Sequence, residues 1–281
     1  MPENDHLTCK GSAVGEAQKQ AGSHNQRISG KTAAGLLVAG AYALGGGGMA
    51  AWLLFVFRGP WFGPAAGVGV AERLLLDGLL CLLFFIQHSV MVRRGFRIWL
   101  TRSVRADLHG ALYASASGVC LLVLVVLSQP VGEILWMPPD WFRWTMAGVF
   151  LMAGAGAWWG SRALGEFDAL GVRPAIDIFR RRQSDAPMEL TIRGPYRWVR
   201  HPLYLLSLVI IWAGPVYTPD RVLHNLLWSV WIVIAADFEE SDLVACFGDA
   251  YRSYRKAVPK LVPRSLRPLV PESRHRAPAA R

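Results

Sequence analysis

Six apolar segments run through the chain, and their lengths limit what it can fold into. A helix rises about 1.5 Å per residue, so about 20 apolar residues cross the roughly 30 Å hydrocarbon core of a bilayer. Apolar residues make up 53% of the chain and charged residues only 18%, a balance too apolar for an ordinary soluble domain. The sequence therefore predicts an all-α, polytopic membrane bundle of five to six spans, drawn from residues 32–57, 68–92, 108–127, 141–160, 203–214 and 222–237.

The fifth segment, residues 203–214, is too short to cross a bilayer alone. Its helix would extend only about 18 Å. The sequence GPVYTP follows it and supplies the glycine and prolines of a chain reversal. We therefore expect the fifth and sixth segments to form a C-terminal helical hairpin that packs on the other helices.

Basic residues concentrate in alternate connections between the apolar segments. Residues 162–201 contain eight arginines and residues 251–281 contain nine lysines and arginines, while residues 93–106 contain five arginines. The intervening loops hold far fewer, among them Arg58, Arg143 and Arg221. Positive loops stay in the cytoplasm, so both termini are predicted to be cytoplasmic. This topology explains the net charge of +10 through anionic lipid, without a nucleic-acid partner.

Two polar tails flank the predicted membrane domain, which covers residues 32–263. Residues 1–31 are rich in Ser, Gly, Gln and Lys, and residues 264–281 are rich in Pro and Arg. Such compositions predict disorder in both tails. The glycines between positions 35 and 48 lie inside a span, where small residues allow helices to approach closely.

Three polar residues lie in the second apolar segment, namely Asp77, Gln87 and His88. Polar groups within a span are costly and usually have a function. Gln87 and His88 lie at the cytoplasmic end, where water and headgroups could equally satisfy them. Asp107 and His109 open the third segment at the same face, and a capping aspartate with an interfacial histidine accounts for them.

The densest polar motif is RGPYRWVRHPLY, residues 193–204. Pro202 lacks a backbone donor and restrains His201 before it, so a helix is predicted to start here. The positive end of that helix suits an anionic group such as a carboxylate.

A second motif, FEESDL, contributes the adjacent carboxylates of Glu239 and Glu240. Glu239 follows Val222 by 17 residues, and His201 precedes Pro215 by 14 residues. These stretches correspond to about 25 Å and about 21 Å of helix, so a hairpin would bring the carboxylates to nearly the depth of His201. A row of snorkelling interfacial charges is the alternative, but adjacent carboxylates gain nothing from interfacial anchoring.

The sequence RGPYRWVRHPLYL, followed by FEESDLVACFGDAYRSYRKAVPKLVP, resembles the cofactor-binding half of the isoprenylcysteine carboxyl methyltransferase-like membrane enzymes. Within that superfamily it is most similar to the branch of bacterial methanethiol S-methyltransferases. That branch shares the QHSVM-x-R segment of the second span and a segment like FDALGVRP, residues 167–174. The resemblance covers roughly residues 70–263. It implies a bacterial inner-membrane enzyme.

The resemblance implies that S-adenosylmethionine binds within residues 190–263. A carboxylate of the cofactor would suit an arginine, and its amino and hydroxyl groups would suit carboxylates. Tyr251 and Tyr254 could pack on the adenine or could simply be interfacial aromatics. Matched position by position, the cofactor contacts would be Tyr196, Arg197, Arg200, His201, Pro202, Tyr204, Glu239 and Glu240.

The implied reaction is methyl transfer to a small thiol, methanethiol, which gives dimethyl sulfide at the cytoplasmic membrane face. The thiol must lose its proton before it attacks. The catalytic candidates are His88, Arg200 and Glu239. His88 is the candidate general base, and Arg93 or Arg200 could instead supply a positive field. No metal is expected, because no two cysteines form a C-x-x-C pair.

Three other functions fit parts of the same sequence. The methyl acceptor could be a prenylcysteine carboxylate or a phospholipid amine. A non-enzymatic, denitrification-associated membrane protein of similar fold would bind no cofactor. A haem or quinone site at His88 and His109 would require these histidines to face each other. The sequence leaves the oligomeric state open.

Overall fold

The computed structural model describes residues 30–165, 168–180 and 189–276, and these residues are mostly helical. Parts of the predicted segments lie outside the described residues, namely residues 1–29 of the N-terminal tail, Phe167 of the FDALGVRP segment and residues 277–281 of the C-terminal tail. The elements in chain order are α1 (Gly30–Gly40), a π-helical turn (Ala41–Gly46), α2 (Gly47–Arg58), α3 (Val70–Val92), α4 (Arg94–Leu100), α5 (His109–Leu127), α6 (Asp140–Ala163), α7 (Arg173–Arg180), β1 (Glu189–Ile192), α8 (Pro202–Trp212), α9 (Pro219–Phe247), α10 (Asp249–Ala257) and β2 (Ser273–Arg276).

Each of the six apolar segments forms a helix or a continuous helical stretch. Three of these stretches are long and apolar enough to cross a membrane, namely Thr32–Arg58, Val70–Val92 and Ala106–Leu127. They are consistent with an integral membrane protein. The number of five to six spans and the C-terminal hairpin stay predictions, although α8 and α9 are consecutive and pack on each other.

Close glycine contacts hold the first helical stretch against α5. An added Cβ on Gly48 would overlap the Gly118 carbonyl oxygen, and one on Gly118 would overlap the Leu44 carbonyl oxygen. A Cβ added to Gly45 would likewise lie only 2.9 Å from the Ala114 carbonyl oxygen. The expectation that this glycine-rich span packs closely is confirmed at these positions. Only residues without a side chain allow the backbones to approach this far.

Replacing Gly118 with alanine is expected to destabilise the protein by about 1–3 kcal/mol, because the methyl group would overlap a rigid backbone carbonyl. The matched control is Gly47→Ala in the facing helix, where no atom lies within 4 Å of the added Cβ. Chemical denaturation in detergent would measure both variants. Equal stability of the two variants would contradict the close packing of α5 on the first span.

The buried aspartates at the end of the bundle opposite the basic connections bind backbone amides. Asp77 accepts a hydrogen bond from the Gln129 amide at 2.9 Å, and Asp220 accepts one from the Val131 amide at 3.2 Å. Arg221 donates to the Phe57 carbonyl at 2.9 Å, at the end of α2. The polar residue that the sequence singled out in the second span, Asp77, therefore fastens a loop.

The C-terminal segment differs from the predicted disorder between residues 264 and 276. β2 pairs antiparallel with β1, with Glu189 opposite Arg276 and Ile192 opposite Ser273. The Leu269 amide donates to the Arg197 carbonyl at 2.9 Å. The segment is ordered because it forms hydrogen bonds with backbone and arginine groups of the RGPYRW stretch. Amino-acid composition alone does not reveal such partners.

Candidate functional site

A buried ion pair between Arg200 and Glu240 forms the centre of the C-terminal polar cluster. The Arg200 Nε donates to Glu240 Oε1 at 2.7 Å, and Nη2 lies 2.6 Å from the same oxygen. The two side chains are only 9% and 6% exposed. Breaking such a pair would leave an uncompensated buried charge, so each partner holds the other in place.

The rest of the Arg200 guanidinium group caps the C-terminal end of α10. Its Nη1 donates to the carbonyls of Arg255, at 2.9 Å, and of Val258. The backbone amide of Arg200 also donates to the Pro259 carbonyl at 2.9 Å. Arginine has five N–H donors, and four of them are used here. Arg200 therefore joins α8, α9 and α10 into one frame and has little capacity left for a ligand.

His201 lies between the two carboxylates of α9. Its Nε2 is 3.2 Å from Glu240 Oε1, and its Nδ1 is 3.8 Å from Glu239 Oε2. A carboxylate can only accept, so Nε2 carries the proton in this contact. Burial lowers the pKa of His201, and the charges of Glu239 and Glu240 oppose this effect only in part. The imidazole is thus neutral near pH 7, and Nδ1 is an acceptor beside Glu239.

The residues around this frame are more open. Glu239 is 47% exposed, and Arg255, whose Nε is 3.4 Å from Glu240 Oε2, is 47% exposed as well. The Tyr251 hydroxyl is buried and has no hydrogen-bond partner among the described residues. Burial raises the pKa of Tyr251, so the hydroxyl stays protonated and can donate. One anion, one cation and one unused hydroxyl therefore surround the Arg200–Glu240 pair.

Three further residues of the RGPYRWVRHPLY motif shape this cluster. Pro202 occupies the first position of α8, as predicted, and is buried. Tyr204 stacks on the His201 ring with centroids 5.4 Å apart. Burial, together with the negative charge of Glu239, raises the pKa of Tyr196. Tyr254 donates to the Tyr196 carbonyl at 2.6 Å, so it positions the motif.

Arg197 turns away from this cluster towards the C-terminal segment. Its Nε donates to the Val270 carbonyl at 2.9 Å, and its Nη1 lies 3.9 Å from Glu272. The Trp198 indole donates to the Leu266 carbonyl at 3.0 Å in the same region. These contacts give Arg197 a structural partner, and its predicted contact with a cofactor stays a prediction.

His88 belongs to a second polar group, formed by α3 and α5. Its Nε2 is 2.5 Å from the Tyr113 hydroxyl, and its Nδ1 is 3.3 Å from the Ser117 hydroxyl. Its ring also contacts Trp231 of α9 at a centroid distance of 5.3 Å. His109 stacks on the other side of this group, with its ring centroid 6.4 Å from that of Tyr113, and its Nε2 lies 3.0 Å from the Met91 carbonyl oxygen.

The structure thus brings Arg200, His201, Glu240 and, at the edge, Glu239 together, and places His88 in a separate group. Sequence analysis missed Arg255 and Tyr113. Arg255 reaches the cluster only because the chain reverses at Gly248, which has a φ of 54°. The motif DAYRSYRKA carries a detectable helical spacing, but nothing in it identifies Arg255 as the arginine that contacts Glu240.

The chain is similar to a known family profile and to several curated proteins. The sequence profile described as NnrU protein matches residues 76–215. The curated protein "Methanethiol S-methyltransferase" of Pseudomonas deceptionensis is 35% identical over 214 residues, which covers 72% of this chain and 76% of the relative. "Methanethiol S-methyltransferase 2" of Bradyrhizobium diazoefficiens is 34% identical over 197 residues, with 69% and 75% coverage.

More distant similarity extends to "Nurim" of Mus musculus, which is 24% identical over 200 residues and covers 66% of this chain and 74% of the relative. No solved structure matches the chain significantly.

Proposed function

The chain belongs to the methanethiol S-methyltransferase family within the NnrU and isoprenylcysteine carboxyl methyltransferase-like proteins, and we propose that it transfers a methyl group from S-adenosylmethionine to methanethiol. The single observation that carries this proposal is the similarity at 34–35% identity over most of the chain. The polar cluster of α8, α9 and α10 supports it, because its free groups match the charged ends of that cofactor.

The fit to the cofactor rests on which groups the frame leaves unused. An ammonium group would lie between His201 Nδ1 and Glu239 Oε2, two acceptors 3.8 Å apart that cannot hydrogen-bond each other because neither carries a proton. A carboxylate would pair with Arg255, which is half exposed and bound to Glu240 only at 3.4 Å. The buried Tyr251 hydroxyl would donate to a further acceptor of the cofactor.

For Arg200 and Glu240, we accordingly propose a structural role in place of the predicted contact with the cofactor. Because these side chains satisfy each other, we assign them to the frame that orients His201, Glu239 and Arg255. Tyr196 and Tyr204 would line the same pocket from the α8 side.

When bound, S-adenosylmethionine supplies a methyl group that is carried on a positively charged sulfur. The methyl group is transferred without its bonding electron pair, which stays on that sulfur. The protein must therefore orient the acceptor sulfur, exclude water and remove the thiol proton. We assign proton removal to the group around His88, which lies among the aromatic rings of Phe84, Tyr113 and Trp231. An apolar thiol could reach that position from the bilayer.

We place the site at the cytoplasmic face of the bacterial inner membrane, with both termini in the cytoplasm. The support is the concentration of arginine and lysine in the stretches 93–106, 162–201 and 251–281, since such loops are retained there.

Replacing Glu239 with glutamine is expected to weaken cofactor binding by about 10–100-fold, because a charge-assisted hydrogen bond contributes about 1.5–3 kcal/mol. Isothermal titration of S-adenosylmethionine into the detergent-purified protein would measure it. The control is Asp242→Asn, which removes the other exposed carboxylate of the same motif. If both variants bind like the unmodified protein, the ammonium site at Glu239 is wrong.

A panel of acceptors tests the reaction itself. Methanethiol, a prenylcysteine and phosphatidylethanolamine vesicles would each be supplied with labelled cofactor, and transfer to the thiol alone is expected. Transfer only to the prenylcysteine or to the amine would move the protein to another branch of the superfamily.

The second candidate function is the non-enzymatic membrane protein, since the NnrU profile matches the chain without the carboxylates of α9. That match ends at residue 215, before Glu239 and Glu240. A protein of this kind would bind no S-adenosylmethionine, so the titration above separates the two functions.

A further inference from the structure

Both ring nitrogens of His88 are already occupied by hydroxyl groups of α5. Tyr113 Oη lies 2.5 Å from Nε2, and Ser117 Oγ lies 3.3 Å from Nδ1. A substrate thiol therefore cannot bond directly to His88 without displacing one of these hydroxyls. Any proton that His88 receives in this arrangement has to arrive through Tyr113 or Ser117.

The surroundings of the two hydroxyls select between these routes. Ser117 is buried, and its Oγ also accepts a hydrogen bond from Gln87 Nε2 at 3.3 Å. Tyr113 is only partly buried. With Nδ1–H donating to the fixed Ser117 oxygen, Nε2 is left as the acceptor for Tyr113 Oη–H. In this tautomer, with the proton on Nδ1, His88 can take a proton from Tyr113.

The pair of Tyr113 and His88 is connected to α9, the helix that carries Glu239 and Glu240, through the ring contact between His88 and Trp231. Trp231, which contacts the His88 ring, precedes Glu239 by eight residues on α9. That separation corresponds to about 12 Å along the helix, so the two groups lie at different depths of one bundle.

We propose that Tyr113 is a further catalytic residue, which takes the proton of the thiol substrate and passes its own proton to His88. This inference rests on the proposed thiol methylation. The S–H bond breaks and its proton goes to Tyr113 Oη, while the phenolic proton goes to His88 Nε2. The thiol keeps the bonding electron pair and becomes the attacking thiolate. His88 becomes an imidazolium, which returns a proton to Tyr113 Oη after turnover, while Tyr113 releases one to water.

The test varies the acidity of the acceptor. Tyr113→Phe is expected to lower kcat with methanethiol by about 100-fold, the lower range for loss of an acid–base group. With trifluoroethanethiol, which is small and far more acidic, the same variant is expected to lose less than about threefold, since no base is then needed. Tyr42→Phe, which removes a hydroxyl from an exposed tyrosine of the first span, is the matched control.

Three results would overturn the role of Tyr113. The variant could keep its rate with methanethiol, it could lose the same factor with both thiols, or it could lose S-adenosylmethionine binding in an isothermal titration. The second result would indicate a packing role and the third a cofactor contact. If the unmodified protein methylates neither thiol, the proposed function itself fails, which is a different outcome from failure at Tyr113.

Discussion

Substituting His88 with alanine is expected to lower kcat for methanethiol by about 100- to 10,000-fold, because a positioned general base contributes that range. The affinity for S-adenosylmethionine should stay unchanged, since the His88 group lies on α3 and α5 and the cofactor groups lie on α8, α9 and α10. Single-turnover kinetics with labelled cofactor, combined with isothermal titration, would separate the two quantities.

His109→Gln is the control for this substitution, because His109 packs on Tyr113 of the same polar group but hydrogen-bonds the Met91 carbonyl. It should keep most of the activity. If His88→Ala abolishes cofactor binding as well, the assignment of His88 as a base is wrong. Equal losses in the two histidine variants would instead favour a general packing defect at this end of α3.

Replacing Glu240 with glutamine is expected to lower the free energy of unfolding by about 3–5 kcal/mol, the range for breaking a buried ion pair by removing one partner. The physical reason is that Arg200, only 9% exposed, would keep its charge without a counter-ion. Chemical denaturation in detergent measures this loss. Cofactor binding should fall too, since His201 loses the acceptor that orients it.

Two comparisons make the Glu240 prediction specific. Glu239→Gln changes the neighbouring carboxylate, which is half exposed, and should cost less than about 1 kcal/mol of stability. The double variant Arg200→Met with Glu240→Leu should recover part of the lost stability, because it removes both charges together. Equal stability of the Glu239 and Glu240 variants would contradict the structural role of the buried pair.

The helical fold followed from the sequence because the length of an apolar segment is a local property. The start of α8 at Pro202 was predictable for the same reason, since proline restricts its own residue and the one before it. The rise per residue also predicted that Glu240 and His201 reach similar depths, and the structure places them 3.2 Å apart. Their function in cofactor binding stays a prediction.

The contacts that the sequence did not predict depend on how separate helices rotate against each other. Whether Tyr113 or another residue of α5 meets His88 depends on the orientation of α5 against α3, and close contacts such as Gly48 with Gly118 and Gly110 with Gly171 help to fix how α5 packs. Arg200 was predicted as a cofactor ligand from the family resemblance and because an arginine suits a carboxylate, since the sequence does not show its neighbours. Its saturation by Glu240 and two carbonyls becomes visible only in three dimensions.

The most direct test of the proposed function is the formation of dimethyl sulfide by the detergent-purified protein supplied with S-adenosylmethionine and methanethiol. Gas chromatography would measure the product, and omission of either substrate would give the background. The account predicts dimethyl sulfide in amounts equal to the cofactor consumed, with the product greatly reduced in the His88→Ala variant. Absence of product from protein that has kept its fold would contradict thiol methylation as the function of this chain.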